Sequence, residues 1–137
     1  MKVYAVIDTN VLVSAMLSKT ENAATRRVAR AMLRGDIKVL YNKEILDEYL
    51  EVLTRTKFSF PLSRINRILE FVEKEGISSS RVASSEFFPD PKDVVFYEVA
   101  LSKEDAYLVT GNQKHFPQKP IVVTPAEMME ILERQKL

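Results

Sequence analysis

The chain has no cysteine, no tryptophan, one histidine and three glycines among 137 residues. Without cysteine there are no disulfides, no thiolate metal sites and no cysteine nucleophile. The absence fits a cytosolic, cytoplasmic origin. The glycines, Gly35, Gly76 and Gly111, cannot write a dinucleotide-binding GxGxxG turn or a phosphate-binding P-loop. A single histidine, His115, rules out a two-histidine nuclease mechanism within one chain. It also leaves a serine triad with one candidate base and no strand–elbow context. No apolar run is long enough to span a bilayer, and the N-terminus enters a strand directly, without a signal-peptide pattern. Charge is nearly balanced at +1, so nucleic-acid contact would have to come from a local patch. What remains is carboxylate chemistry.

Apolar residues make up 46% and charged residues 28%, the balance of an ordinary soluble domain. The length suits a single domain over residues 1–137, with no internal repeat, low-complexity tract or linker. A strand is expected over Lys2 to Ile7, then a short helix near Val11 to Leu17. A second helix is expected from Asn22 to Arg34, stopped by Gly35. Ile37 to Tyr41 reads as a strand. Asn42 caps a helix with Ile45, Leu46, Tyr49, Leu50 and Leu53 on its apolar face. After a break at Phe58 to Pro61, Ile65, Ile68, Leu69 and Val72 mark a helix ending at Gly76. A short strand is expected within Ile77 to Val82. Asp90-Pro91 opens a helix reaching Ser102. Tyr107 to Thr110 and Ile121 to Val123 read as strands, and Thr124-Pro125-Ala126-Glu127 is a capping box for a last helix. Strands alternating with helices imply an α/β fold with a parallel sheet covered on both faces. Right-handed crossovers then bring all strand C-termini to one edge.

The most informative segment is Val3-Tyr4-Ala5-Val6-Ile7-Asp8, a buried-strand run leading straight into a carboxylate. Ligands gather at the carboxyl ends of strands in open parallel sheets. A charge there needs pairing, a metal or a shifted pKa, and no basic residue follows within ten positions. Three other positions can reach that edge. Asp93 lies in the first turn after Asp90-Pro91, Asn112 follows a strand across one glycine, and Glu48 lies on the helix after the second strand. Among its acidic neighbours Glu48 borders the apolar stripe, with Ile45 at i−3 and Val52 at i+4. Glu51 has Arg55 at i+4 and reads as a surface pair. Carboxylates about 4 Å apart repel by about 4 kcal/mol per pair at an effective dielectric near 20. Such a group needs protons or a cation, and an all-oxygen donor set suits Mg²⁺ or Mn²⁺. Phosphodiester hydrolysis is the natural chemistry of such a site.

Each position also has a plainer reading. Asp8 suits an Asx turn, Glu48 a partly solvated helix position, and Asn112 a turn after Gly111. Asp90 reads as a helix cap, and Asp93 serves both helix start and site. The argument rests on joint placement. Arg26, Arg30 and Arg34 recur every fourth residue with Arg27 beside them, a stripe opposite Ala24, Val28 and Ala31. It suits phosphates and equally a solvated helix face. His115 reads as an exposed loop residue. The phenylalanines at 58, 60, 87 and 88 flank helix breaks, as core or as a partner surface.

At these residues the chain resembles the PIN-domain family of metal-dependent ribonucleases. Val6-Ile7-Asp8-Thr9-Asn10-Val11-Leu12-Val13 is similar to the family's opening motif. Glu44 to Leu53 resembles the helix carrying its second acidic residue, and Asp90-Pro91-Lys92-Asp93 the segment carrying its third. Leu108-Val109-Thr110-Gly111-Asn112, with Lys114-His115-Phe116, resembles its closing motif, and Ile121 to Pro125 its last strand and helix start. The resemblance implies a three-layer α/β/α sandwich with a parallel sheet of four or five strands. It implies Asp8, Glu48 and Asp93 as catalytic metal ligands, Asn112 as a further ligand, and Asn10, Thr110 and Asp90 in support. Where the family often has an aspartate, this chain has Asn112, whose amide ligates without adding charge and leaves the metal count open. Many short stand-alone members are toxins of toxin–antitoxin pairs and often homodimers. The chain has no appended RNA-binding module, which fits that role. RNA is then the substrate and an antitoxin protein the inhibitor. A second reading is a PIN-like module that binds RNA or protein with weak or lost catalysis. A phospho-receiver domain is a distant third, because no aspartate ends the middle strand and no lysine follows the last.

Overall fold

Val3–Ile7 forms β1, and every residue of it except Tyr4 is buried. Consecutive residues buried on a strand mean that both faces of the sheet are covered. A computed structural model of the chain describes residues 2–136. Beyond β1, the chain runs through α1 (Thr9–Leu17), α2 (Ala24–Arg34), β2 (Ile37–Tyr41), α3 (Lys43–Leu53), α4 (Leu62–Glu75) and β3 (Ile77–Ser78). It continues through α5 (Val94–Ala100), β4 (Tyr107–Val109), β5 (Val122–Val123) and α6 (Pro125–Gln135). The five strands form one parallel sheet in the order β3-β2-β1-β4-β5. The fold is the expected α/β sandwich, with five strands in the parallel sheet among the described residues.

The strand order decides where chemistry can sit. From β1 the chain moves outward to β2 and β3, then returns to the other side of β1 for β4 and β5. The direction of winding reverses between β1 and β4, and the carboxyl ends of those strands are where an open parallel sheet of this order places its ligand crevice. Asp8 follows β1 there, and its backbone N–H donates to the Val109 carbonyl at 2.9 Å, locking the ends of the two strands together. On the core side, α2 packs against α6 and β2, while α5 packs over β1 and β4.

Local sequence explains the element ends. Gly35 takes φ 84° after α2, and its N–H returns to Ala31 and Met32, the left-handed helix stop expected of it. Asn42 accepts from the Ile45 amide at 2.9 Å, and Thr124 with Glu127 completes a capping box. Gly76 also ends its helix, but for a different reason. Its backbone is extended, and a Cβ there would lie 2.4 Å from the Val72 carbonyl oxygen and 2.8 Å from that of Val39.

Several boundaries differ from expectation. The second helix starts at Ala24 rather than Asn22, and the first at Thr9. The strand expected within Ile77 to Val82 is confined to Ile77–Ser78 at the sheet edge. The chain from 79 to 90 is irregular and tied down by side chains instead. Asp90-Pro91 opens a 3-10 turn, Pro91–Asp93, before α5, which ends at Ala100 and not Ser102. Thr110 lies just past β4, and Ile121 just before β5. Leu50, expected on the apolar face of α3, is 43% exposed. Tyr49 and Leu53 face the core, and a residue one position on is turned by about 100°. Among the described residues no helix is long and apolar enough to cross a membrane.

Candidate active site

Asp8 is buried at the crevice floor, held from two sides. Thr110 Oγ1 donates to Asp8 Oδ2 at 2.8 Å, and the nearby amides of Thr9 and Asn10 favour the charged carboxylate. Burial nonetheless lifts its pKa to about 6 from an ordinary 3.8, and the charge of Asp93 adds to the rise. The carboxylate is therefore costly in its ionised form and coupled to a second one.

Glu48 reaches the same edge from α3. Its Oε2 accepts from Thr9 Oγ1 at 2.5 Å, joining α3 to the residue after Asp8. Its pKa is raised by burial and by Asp8, against the hydrogen bond from Thr9 and the charge of Lys92. Beneath it, fully buried Tyr49 donates its hydroxyl to the Ile7 carbonyl at 2.5 Å. Burial beside Asp8 and Glu48 drives the phenol's ionisation upward, so it stays a donor. One helix thus fixes both the strand end and the second carboxylate.

Asp93 arrives from the turn before α5. Asp90 accepts from the Lys92 amide at 3.0 Å and holds that turn, so its part is to shape the approach of Asp93. The pKa of Asp93 is raised by burial, then by Asp90 and Glu48, with His115 opposing. Its Oδ2 is buried without a hydrogen-bond partner, while His115 Nδ1 lies 3.4 Å away in ion-pair range. His115 is exposed, as expected of it, but it stands at the site rather than apart from it. Asn112 Nδ2 faces His115 Nε2 at 3.1 Å, and the Asn112 amide donates to Thr110 Oγ1 at 3.0 Å. Asn10 Oδ1 accepts from the Gly111 amide at 3.2 Å and ties the two strand ends across the crevice.

Asp8, Glu48 and Asp93, distant in sequence, thus meet at one edge and raise one another's pKa. Oxygen donors, mutual repulsion and a buried orphan oxygen are what a hard divalent cation would relieve. The three do not close on a point: among the described residues no set of three acidic or histidine side chains is oriented to enclose one ion. Thr9 holds Glu48, and Asp93 faces His115.

The arginine stripe does not reach this edge intact. Arg26 and Arg30 share Glu21, at 3.6 and 3.9 Å. Arg34 pairs with Asp36 at 3.1 Å, just before β2, at the amino-terminal edge of the sheet. Sequence reasoning passed over Thr9 and gave His115 no role. The signals were a hydroxyl beside Asp8 and a lone histidine three residues past Asn112.

One more network holds the site's frame. Arg81 bridges Glu44 of α3 at 2.8 Å and Glu98 of α5 at 2.7 Å. Glu98 also accepts from the Ser84 amide at 2.8 Å. Although burial pushes its carboxyl up, the Ser84 amide and Arg81 hold it below the usual range. The helix of Glu48 and the helix behind Asp93 are strapped together through the irregular segment.

The family model for the PIN domain matches residues 4–114, a span that contains Asp8, Glu48, Asp93 and Asn112 and stops one residue short of His115. No curated protein matches the chain.

Proposed function

We propose, from the premise that this chain belongs to the PIN-domain family, that it is a Mg²⁺- or Mn²⁺-dependent endoribonuclease. Members of the family are nucleases in general. The observation that carries the reading is the nearness of Asp8, Glu48 and Asp93 at the carboxyl ends of β1 and β4, each with a raised pKa and, among the described residues, no lysine or arginine bonded to it. These three are the proposed cation ligands. A bound divalent ion would supply an activated water and a clamp on the phosphate oxygens. The rest falls to the chain. Thr110 and the amides after β1 keep Asp8 ionisable and aimed at the crevice. Thr9 holds Glu48, and Asn10 holds the loop after β4 against α1.

The finer role, the toxin of a toxin–antitoxin pair with an antitoxin protein as inhibitor and a homodimer as the working form, rests on the likeness of the motif set to short toxins of this family. The competing reading, a PIN domain that binds RNA without cutting it, draws on the open arrangement of the carboxylates.

One assay separates them: RNA cleavage by the purified chain with Mg²⁺, with Mn²⁺ and with EDTA, beside Asp8→Asn. Cleavage that needs metal and is lost in the variant is expected. Equal cleavage by Asp8→Asn, or in EDTA, refutes the site. Metal binding with intact RNA supports the binding module.

A further inference from the structure

The one histidine of the chain is held between polar groups from two different stretches of sequence. Its Nε2 faces the Asn112 side-chain nitrogen at 3.1 Å, and its Nδ1 lies 3.4 Å from Asp93 Oδ2. An amide nitrogen only donates. Nε2 is therefore the acceptor, and the proton of the neutral ring sits on Nδ1, the nitrogen turned toward Asp93. Among the described residues that buried Asp93 oxygen has no hydrogen-bond partner, and His115 Nδ1 stands within ion-pair range of it.

The mounting of the ring is equally specific. His115 ends a 3-10 turn, Gln113–His115, followed by buried Phe116. Gln113 Nε2 donates to the Val122 carbonyl at 3.1 Å, pinning the turn to β5. Asn112 is fixed through its own amide to Thr110 Oγ1, the hydroxyl that donates to Asp8. A continuous path runs from Asp8 through Thr110, Asn112 and His115 to Asp93.

We propose that His115 is a positioning residue for the Asp93 carboxylate, kept in its Nδ1–H form by Asn112, and that Asn112 acts on the site through this ring rather than as a cation ligand. This rests on the metal-site reading above and deepens it. A donor on one carboxylate oxygen fixes the plane of the group and leaves the other oxygen for a cation. Ligating carboxylates are held in this way by outer hydrogen bonds, whose loss costs about 10–100-fold in metal affinity.

The test uses the full chain and no RNA. Nitrogen-15 NMR above the imidazole's titration range shows one pair of ring signals, with Nδ1 protonated. Mn²⁺ affinity, read by electron paramagnetic resonance, should fall about tenfold in His115→Ala. It should largely recover in His115→Asn, whose amide nitrogen donates from near the Nδ1 position. Asn112→Ala should weaken Mn²⁺ binding alone and add nothing in the His115→Ala background. An Nε2–H ring in the wild-type chain, unchanged affinity in His115→Ala, or additive losses would overturn the proposal. If the pattern holds and RNA stays intact, the nuclease reading fails while this one stands. If RNA is cut and His115→Ala binds Mn²⁺ normally, the reverse is true. A wild-type chain that binds no Mn²⁺ overturns both.

Discussion

Replacing Asp8 by asparagine should stabilise the metal-free protein while abolishing its function. The pKa of Asp8 rises from 3.8 to about 6 on folding, chiefly through burial. A rise of that size means the folded state holds the proton more tightly by about 3 kcal/mol. The stability this proton lends is full below the unfolded pKa and is lost as pH climbs through the folded one. Above pH 6 the metal-free wild type therefore carries a buried negative charge that Asp8→Asn removes. The variant keeps an oxygen for the Thr110 hydroxyl, but its NH₂ group gives up the favourable field of the nearby Thr9 and Asn10 amides, a loss of about 1 kcal/mol. The net gain is about 1–2 kcal/mol, or roughly 3–8 °C in Tm for a domain of this size. Thermal unfolding followed by circular dichroism in EDTA should show that gain at pH 8 and its disappearance near pH 4. Adding Mg²⁺ should raise the wild-type Tm and leave the variant unmoved. A variant less stable than wild type at pH 8 in EDTA would refute the account of Asp8 as a strained, cation-seeking charge.

Other perturbations test the frame. Arg81→Met leaves Glu98 buried without its guanidinium partner and unstraps α3 from α5; a loss of about 2–3 kcal/mol is expected in urea titration. Exposure of Glu44 and Arg81 keeps the figure below that of a fully buried pair, and a change under about 0.5 kcal/mol would show the strap to be idle. Gly76→Ala drives a Cβ against two backbone carbonyls and should cost about 1–3 kcal/mol, checked by the same titration. Thr9→Val removes the hydroxyl that holds Glu48; cleavage should drop about tenfold or more with the fold intact by circular dichroism, and unchanged cleavage would release Thr9 from the site.

The sheet was legible in the sequence because apolar runs and helix caps are local. Val3 to Ile7 can only be a strand covered on both faces, and Asn42, Gly35 and Thr124 announce their helix ends within a few residues. The edge strand was legible in place but not in length. Ile77 to Val82 carries no alternation, and its path is set by Arg81 reaching Glu44 and Glu98, partners 37 and 17 positions away. The Gly76 stop was legible as a stop, but the close approach of Val39 that demands glycine depends on how α4 meets β2. The acids were legible as a set for one reason: each lacks a basic neighbour at helical or strand spacing, so burial at a strand end leaves each needing something from outside the chain.

The groups that hold those acids announce themselves less clearly. A hydroxyl or an imidazole costs little when exposed and carries no periodicity, so Thr9 and His115 become informative only once the crevice brings them against Glu48 and Asp93. The same asymmetry governs their energetics. A carboxylate at the crevice floor is expensive wherever it stands, and that expense leaves a trace in the sequence as a charge beside an apolar run. Its partners are cheap, so many residue types can occupy their positions without harming the fold. The cost of losing them therefore falls on ligand geometry rather than stability. Substitutions at Thr9, Asn112 and His115 should accordingly separate metal affinity from Tm, whereas Asp8→Asn moves both, in opposite directions.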